Sequence, residues 1–288
     1  MKKLTEGFTK EYMARLEAFS IKLNEKMSNI SQSGIRKSGA KGNSLEFSDF
    51  REYIAGDDIR RIDWNGYARF DRIFVKLFME EKQADINLFI DKSNSMGEHE
   101  DKLYYAKMLA ASIGYISLKN TDRVNMMLFN SQVTDEKTKL VSKNSFFEIV
   151  NFLDNIDSNG QTDINNSIMK NISKLPNRGI CFIFSDFFSL NGFIEAIKML
   201  RYKKQDVVLV QILSGEERSP LLNGNIRIIY SETGENIDME VTEGILNDYK
   251  KALVSYENEL KDFCKQYNMS FVSIDTSQPI IKGLMAIL

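Results

Sequence analysis

The chain from residue 84 onward alternates between short, continuously apolar runs and stretches in which apolar residues recur every three or four positions. Short apolar runs of this kind predict strands that are buried on both faces. They cover Ala84 to Ile90, Val124 to Phe129, Ile180 to Phe184 and Val207 to Leu213. Because strands and helices alternate, we expect an α/β fold with a doubly wound, mostly parallel sheet, helices on both faces and right-handed crossovers.

The stretches between these runs place their apolar residues on one side of a helix. The predicted helical faces are Leu103, Ala106, Ala110 and Ile113; Phe146, Ile149, Val150 and Leu153; Ile164, Ile168 and Ile172; and Phe193, Ile197 and Leu200. Further on, "IRIIYSETGENIDMEV" predicts a β-hairpin, the apolar pattern from Ile245 to Tyr267 a long helix, and "SFVSID" a last strand. These elements complete a domain that we expect to span residues 84–288.

The first 83 residues have a different pattern. Phe8, Met13, Leu16 and Leu23 predict an amphipathic helix, and the Gly/Ser-rich "SNISQSGIRKSGAKGNS" is typical of a connector. After it, charged residues alternate with aromatic ones around a Gly56-Asp57-Asp58 turn. We therefore expect an N-terminal helix, a connector and a small strand-rich module in residues 1–83.

Composition narrows the classes of function. The longest nearly apolar stretch, Met108 to Leu118, is shorter than the ~20 residues that cross a bilayer, so we expect no membrane span and a cytoplasmic protein. A formal charge of -2 and a pI near 5.7 give no general attraction to nucleic acid. The two cysteines fall in apolar patterns and the chain has one histidine, which excludes a disulfide framework and a zinc site of the usual ligands.

Polar side chains follow the predicted ends of two strands and a glycine turn. Asp91, Ser93 and Ser95 come directly after the first strand, Thr162 begins a helix, and Asp186 follows the third strand. Ligands of open parallel sheets bind outside the carboxyl ends of strands, so we expect the three loops to converge. Hydroxyl and carboxylate oxygens with several waters suit Mg²⁺ or Mn²⁺. The hydroxyls would be direct ligands, and the two aspartates would hold coordinated waters.

Neutral hydroxyls leave a divalent cation only partly neutralised, so a vacant coordination position would favour an incoming carboxylate. This predicts a non-enzymatic protein that recognises an acidic residue of a partner. The alternative is a Mg²⁺- or Mn²⁺-dependent phosphoesterase that uses the same ion as an electrophile. Against it, no second aspartate lies two positions after Asp91, and Lys92 should point away from Asp91 on an extended path.

Two simpler interpretations also apply to these residues. Ser95, Thr162 and Asp163 could serve only as helix caps, although their joint placement with two aspartates at one sheet edge argues against this. A serine hydrolase centred on Ser95 would lack a base at the expected place in the chain.

The D-x-S-x-S, T, D set resembles the metal-ion-dependent adhesion site of von Willebrand factor A domains at all five positions. The stretch "FREYIAGDDIRRIDWNGYARFDRIFVKLFMEE" resembles the signature of a bacterial family called domain of unknown function fifty-eight. The residues that match this signature are Arg51, Tyr53, Gly56, Asp57, Asp58, Arg60, Ile62, Asp63, Trp64, Ala68 and Arg69. The resemblance extends over about residues 36 to 190.

The resemblance implies a von Willebrand A-like fold with Mg²⁺ or Mn²⁺ at that site. The family is similar to von Willebrand A-like proteins encoded beside MoxR-type AAA+ ATPases, many of which are thought to act as adaptors or chaperone-like partners. The implied partner is therefore a MoxR-type AAA+ ATPase or its client. Longer relatives carry N-terminal transmembrane helices, and no such helix is expected in this chain. The signature residues would either pack the small module onto the main sheet or contact a partner.

Overall fold

The computed structural model describes residues 3–19, 45–80, 83–98, 100–188, 192–230 and 234–288. The described residues form two compact units. The larger unit combines residues 3–19 with residues 84–288, and the smaller one lies within residues 45–83. The predicted connector and Leu23 lie outside the described residues.

Helices and strands follow the predicted alternation in the larger unit. The helices are α1 (Leu4–Gly7), α2 (10–19), α3 (Trp64–Phe70), α4 (Asn94–Glu98), α5 (Glu100–Lys119), α6 (Ser145–Asp154), α7 (Ile164–Asn171), α8 (Ile194–Tyr202), α9 (Gly215–Arg218), α10 (Glu243–Gln266) and α11 (Ile280–Ile287). The strands are β1 (Leu45–Glu52), β2 (Phe74–Glu80), β3 (Asp85–Asp91), β4 (Arg123–Phe129), β5 (Val133–Leu140), β6 (Gly179–Ser185), β7 (Gln205–Leu213), β8 (Gly224–Ile229), β9 (Asn236–Val241) and β10 (Ser270–Asp275).

Six strands form the central sheet, in the order β10-β7-β6-β3-β4-β5. Neighbouring strands are parallel except for the antiparallel pair of β4 and β5. Apolar residues from α1, α2, α5, α6 and α11 pack on one face of this sheet, and those from α7, α8 and α10 pack on the other. The predicted von Willebrand A-like, doubly wound class is therefore confirmed. The predicted hairpin is also present as β8 paired with β9.

β5 and α11 were not expected from the sequence. The β5 sequence VTDEKTKL contains six polar residues in a row, four of them charged, and most of the strand is exposed. Charged residues are typical of edge strands, because they discourage pairing with another chain. The strand is thus defined by its pairing with β4 and not by a buried face of its own.

The N-terminal helices belong to the larger unit. Leu4 and Leu16 are buried in its core, and the Leu4 amide donates a hydrogen bond to Asp154 Oδ1 at 2.7 Å. The Tyr12 and Ser112 hydroxyls are 2.9 Å apart. The sequence pattern groups this segment with residues up to 83, but these contacts join it to the α/β unit because its apolar face is buried there. Among the described residues, no helix combines the length and apolar character needed to span a bilayer.

The smaller unit contains the family-signature residues. β1 and β2 form an antiparallel pair, and Gly56, with a φ of 108°, adopts a turn conformation that side chains rarely allow. Arg51 donates to Asp57 Oδ1 at 2.8 Å. A hydrogen bond from the Ile54 amide and this contact with Arg51 lower the pKa of Asp57. Trp64 remains 62% exposed, so its indole is not part of a core.

Within the larger unit, a buried lysine anchors the loop between α6 and α7. The Lys107 side chain is 2% exposed, and its Nζ donates a hydrogen bond to the Ile156 carbonyl oxygen at 2.7 Å. Burial lowers the pKa of Lys107 to about 8, although the carboxylates of Asp154 and Asp157 act in the opposite direction. The chain therefore keeps a cation inside the protein to fix the loop that carries Thr162.

We expect the stability difference between wild type and Lys107→Met to depend on pH. Between about pH 8 and 10.5, the unfolded state binds the lysine proton more tightly than the folded state does. The stability of the wild type relative to the variant should therefore rise with pH over this range, by on the order of 2–3 kcal/mol. At pH values below about 8, the wild type should keep the full energetic cost of the buried charge. Urea unfolding of both proteins across the range measures this, and a constant difference would contradict a buried charge at Lys107.

Candidate metal-binding site

Two neighbouring strands bring the first part of the site together. β3 and β6 are parallel, and Ile90 is paired with Phe184, so Asp91 and Ser185 lie side by side at the carboxyl edge of the sheet. Asp91 is fully buried. Its Oδ2 accepts a hydrogen bond from Ser185 Oγ at 2.7 Å, and its Oδ1 accepts one from the Ser93 amide at 2.9 Å. The carboxylate thus fixes the turn in which β3 ends.

Thr162 also binds this carboxylate. Its Oγ1 lies 3.1 Å from Asp91 Oδ1 and 3.0 Å from Oδ2. A hydroxyl has one proton and two acceptor lone pairs. Because the hydroxyl donates its proton to Asp91, its oxygen can act toward any other group only as an acceptor or a metal ligand. The buried aspartate therefore fixes the orientation of the threonine hydroxyl.

Ser93 and Ser95 supply two further oxygens. Their Oγ atoms are 3.1 Å apart. Neighbouring ligands of an octahedral ion at 2.0–2.1 Å are separated by about 3 Å, so this spacing suits adjacent positions around Mg²⁺. Ser95 lies in the first turn of α4, which directs its hydroxyl back toward the end of β3.

Three backbone hydrogen bonds attach the Thr162 loop to its neighbours. The Asn159 amide donates to the Lys92 oxygen at 2.8 Å, the Asn94 amide to the Gly160 oxygen at 2.9 Å, and the Asp163 amide to the Asn130 oxygen at 3.0 Å. Gly160 has a φ of 77°, a left-handed conformation that favours glycine. The glycine turn therefore lets the loop double back and present Thr162 to Asp91.

Asp186 is held from several directions. It is 2% exposed, its Oδ1 accepts from the Phe188 amide at 3.2 Å, and its main-chain oxygen accepts from Gln211 Nε2 at 3.2 Å. Phe187 has a φ of 61°, which is unfavourable for a bulky residue. A hydrogen bond of 2.6 Å from Tyr256 Oη to the Phe187 oxygen stabilises this conformation. Because Tyr256 lies in α10, this helix fixes the turn that carries Asp186.

The second carboxylate oxygen of Asp186 binds a buried lysine. Lys102, in α5, has a fully buried side chain, and its Nζ donates to Asp186 Oδ2 at 2.9 Å and to Glu217 Oε1 at 2.7 Å. Burial alone would lower the pKa of Lys102, but the charges of Asp186 and Glu217 outweigh it and raise the pKa above its ordinary value. The lysine is thus a permanent internal cation.

The two aspartates have different electrostatic surroundings. The donors to Asp91 that the described residues provide are all neutral, whereas Asp186 has Lys102 as a cationic partner. Burial, followed by the negative charge of Asp186, raises the pKa of Asp91 to about 7. The Asp91 side of the cluster therefore lacks a positive charge.

The five predicted site residues meet at one sheet edge, but not all through direct hydrogen bonds. Asp91 binds Thr162 and the Ser93 backbone, and Ser93 contacts Ser95. Asp186 influences Asp91 through its charge. The expectation that Lys92 points away from Asp91 agrees with its ion pair to Asp135, at 3.6 Å.

Sequence reasoning missed four residues of the cluster: Ser185, Lys102, Gln211 and Glu217. A signal existed for Lys102, because it shares a helical face with Ala106, Leu109 and Ile113, all of which are buried. Ser185 could have been inferred from its place at the carboxyl end of a buried strand, immediately before Asp186. Gln211 and Glu217 have no sequence signal that separates them from ordinary polar residues.

Comparison with known proteins identifies the family. Residues 49–259 match the model described as "Protein of unknown function DUF58". The chain belongs to the DUF58 family. No curated protein matches the sequence at a significant level.

Solved structures give distant likenesses to this DUF58 chain. The conserved hypothetical protein BatB from Bacteroides thetaiotaomicron is 18% identical, with a TM-score of 0.41 over 70% of this chain and 98% of its own. An aerotolerance-related membrane protein from Bacteroides fragilis NCTC 9343 is 16% identical, with a TM-score of 0.42 over 71% and 96%. The SpRpn10 VWA domain is 11% identical, with a TM-score of 0.38 over 71% and 94%.

The donor chemistry of the cluster suits a hard divalent cation. The oxygens are three hydroxyls and two carboxylates, which match the preference of Mg²⁺ or Mn²⁺ for oxygen ligands and water. Groups of three or more His, Cys, Asp or Glu side chains suited to a metal do not occur in the described ranges. A metal at Asp91 would accordingly depend on hydroxyl ligands, in a site of moderate affinity.

Gly97 controls how closely α4 approaches the Thr162 loop. A Cβ atom at Gly97 would lie 1.8 Å from Ser158 Oγ and 2.2 Å from Ser158 Cβ. Rotation of the serine hydroxyl cannot relieve the second contact, so either α4 or the loop must move. Both segments carry proposed ligands, which makes this contact a test of the site geometry.

We expect Gly97→Ala to destabilise the protein by about 1–3 kcal/mol and to weaken metal binding, because it separates Ser95 from Thr162. Ser158→Gly removes both clashing atoms, so the double variant Gly97→Ala/Ser158→Gly should recover most of the loss. A double-mutant cycle on the free energy of unfolding and on Mn²⁺ affinity measures the coupling. Additive effects of the two changes would show that the close approach does not determine the geometry.

Proposed function

We propose that this DUF58 protein binds Mg²⁺ or Mn²⁺ at the carboxyl edge of its sheet and presents the ion to an acidic group of a partner protein. The observation that carries the proposal is the arrangement of hydroxyls around Asp91. Thr162 donates its proton to the buried carboxylate, and Ser93 and Ser95 have their oxygens 3.1 Å apart. Three hydroxyls therefore lie close to this carboxylate, and their oxygens are of the type that a hard divalent cation prefers.

In this proposal Ser93, Ser95 and Thr162 are the direct ligands, while Asp91 and Asp186 hold coordinated waters. Asp91 also aligns the ligands through the hydrogen bonds it accepts. When bound, the cation would supply the positive charge that a carboxylate of the partner binds. The protein then supplies few anionic ligands, so that the bound ion retains affinity for one more carboxylate.

We propose that the site acts by binding and not by catalysis. Both oxygens of Asp91 accept hydrogen bonds from Ser93, Thr162 and Ser185, so the carboxylate is not poised to attack a substrate. The Lys102 ammonium is fully buried and engaged by two carboxylates, which does not suit assistance to a leaving group. These contacts favour an adaptor or chaperone-like protein over a metal-dependent phosphoesterase.

The partner that the family resemblance suggests is a MoxR-type AAA+ ATPase or its client, in the cytoplasm. Support for this finer proposal is the sequence signature in the smaller unit. The exposed Trp64 and Tyr67 rings, packed edge to face at 6.4 Å, are residue types that often contribute strongly to protein interfaces.

We expect Mg²⁺ or Mn²⁺ at about 100 times its dissociation constant to stabilise the wild type by about 2.7 kcal/mol, a shift of several degrees in Tm. Asp91→Ala should abolish the shift, because the hydroxyls lose the acceptor that orients them. Asp122→Ala is a matched control, since the Asp122 carboxylate accepts from the Ala84 amide at the opposite end of β3. An equal shift in Asp91→Ala and wild type would contradict the proposed site.

We also expect a purified MoxR-type ATPase from the same genome to bind the wild type with Mg²⁺ present, and binding to fall at least tenfold with Asp91→Ala or a chelator, as for loss of an interfacial charge contact. Surface plasmon resonance with Asp122→Ala as the control provides the measurement. A phosphoester assay on the same samples covers the alternative. Metal-dependent turnover that Asp91→Ala eliminates would replace the adaptor proposal by the phosphoesterase, and chelator-resistant binding would exclude the metal from recognition.

A further inference from the structure

The internal cation Lys102 stands out among the residues around the proposed site. Its Nζ joins Asp186 of the site to Glu217 in the short helix α9, and its side chain is fully buried. Burying a lysine with two carboxylates costs solvation free energy that a well-packed apolar cluster would avoid. Stability alone is therefore a weak reason for this arrangement.

The contacts of Asp186 show what the lysine changes. One carboxylate oxygen of Asp186 accepts from Lys102 and the other from the Phe188 amide. Asp186 is thereby held in one orientation and is partly neutralised before any ion binds. Asp91, in contrast, is bound only by neutral donors in the described part of the chain.

We propose that Lys102 sets the net charge of the metal site. Its ammonium limits the affinity of the site for a divalent cation and keeps the bound ion attractive to a carboxylate. Glu217 partly offsets the charge of the lysine. This inference rests on the proposed function and deepens it. When all three carboxyl groups are ionised, Asp91, Asp186 and Glu217 together with Lys102 carry two net negative charges, which one divalent cation neutralises. Without the ammonium, the same cluster with the ion would remain negative and would repel an acidic partner.

Glu217 is the part of this cluster that reaches solvent. Its side chain is 22% exposed, whereas those of Lys102 and Asp186 are 0% and 3% exposed. Its second carboxylate oxygen accepts from the Ser214 amide at 2.7 Å, and its main-chain oxygen accepts from Tyr249 Oη at 2.7 Å. A change of the Glu217 side chain can therefore alter the charge beside Lys102 while the main-chain contact with Tyr249 keeps α9 attached to α10.

Four proteins, the wild type and three variants, distinguish an effect of charge on metal binding from an effect of geometry. Glu217→Gln carries one negative charge less than the wild type, Lys102→Met one more, and Lys102→Met/Glu217→Gln the same net charge as the wild type. The double variant also removes the partly exposed Glu217 charge that Lys102→Met leaves without its lysine partner, while Asp186 lacks that partner in both proteins. Circular dichroism and urea unfolding establish that each protein is folded before its binding is compared.

Calorimetric titration with Mg²⁺, and with Mn²⁺ followed by electron paramagnetic resonance, measures the affinity of each protein. We expect Lys102→Met to bind on the order of tenfold more tightly than the wild type and Glu217→Gln several-fold more weakly, because a buried unit charge acts strongly over a few ångströms. The double variant should match the wild type. Acetate, as a carboxylate probe, should strengthen Mg²⁺ binding most in Glu217→Gln and least in Lys102→Met.

The outcomes distinguish this inference from the proposed function. Equal Mg²⁺ affinity in all four folded proteins would overturn the role of Lys102 and leave the metal site intact. A double variant that binds like Lys102→Met would also overturn it, because geometry and not charge would then be responsible. Absence of Mg²⁺ and Mn²⁺ binding in every protein would remove the metal site itself. If Lys102→Met does not fold, the opposite shift in Glu217→Gln decides the matter.

Discussion

The buried carboxylate of Asp91 is the group on which the organisation of the sheet edge depends. A carboxylate taken out of water must have its oxygens satisfied, and here Ser93, Thr162 and Ser185 provide the donors. Ser93 and Thr162 lie in two different loops and Ser185 is the last residue of β6, so one group determines how three segments meet. The same hydrogen bonds bring the Thr162 hydroxyl to the carboxylate oxygen that also accepts from the Ser93 amide. In our proposal, the hydrogen bonds that satisfy Asp91 are therefore also the ones that align the ligands of a cation.

Further polar contacts from two helices and a strand support this arrangement. Lys102 holds Asp186 from α5, Gln211 holds its main chain from β7, and Tyr256 holds the adjoining left-handed turn from α10. These residues do not face the proposed ion. They fix the direction in which Asp186 points, and rigid support of this kind is what a site of few charged ligands requires.

Much of the fold and of the candidate site could be predicted because both leave periodic or clustered signals in the sequence. The central strands are apolar throughout, and the Asp91, Ser93 and Ser95 spacing marks the end of β3. β5 escaped prediction because an edge strand has no buried face to produce a pattern. Lys102 escaped because its place on an apolar helical face indicates burial but not its partners, and only the tertiary fold shows that two distant carboxylates, Asp186 and Glu217, surround it. The attachment of the N-terminal helices to the α/β unit likewise depends on tertiary packing.

The long sequence separations among the Asp91 partners have a consequence for folding. Thr162 and Ser185 lie 71 and 94 residues from the aspartate they bind, so closing these contacts costs chain entropy that local structure cannot offset. The Asp91–Ser185 contact also requires β3 and β6 to be paired, because the two residues lie side by side at the ends of these strands. The hydroxyl cluster consequently exists only in a chain in which these two strands of the central sheet are in place. Any molecule that recognises the cluster thereby distinguishes the finished protein from its incompletely folded forms.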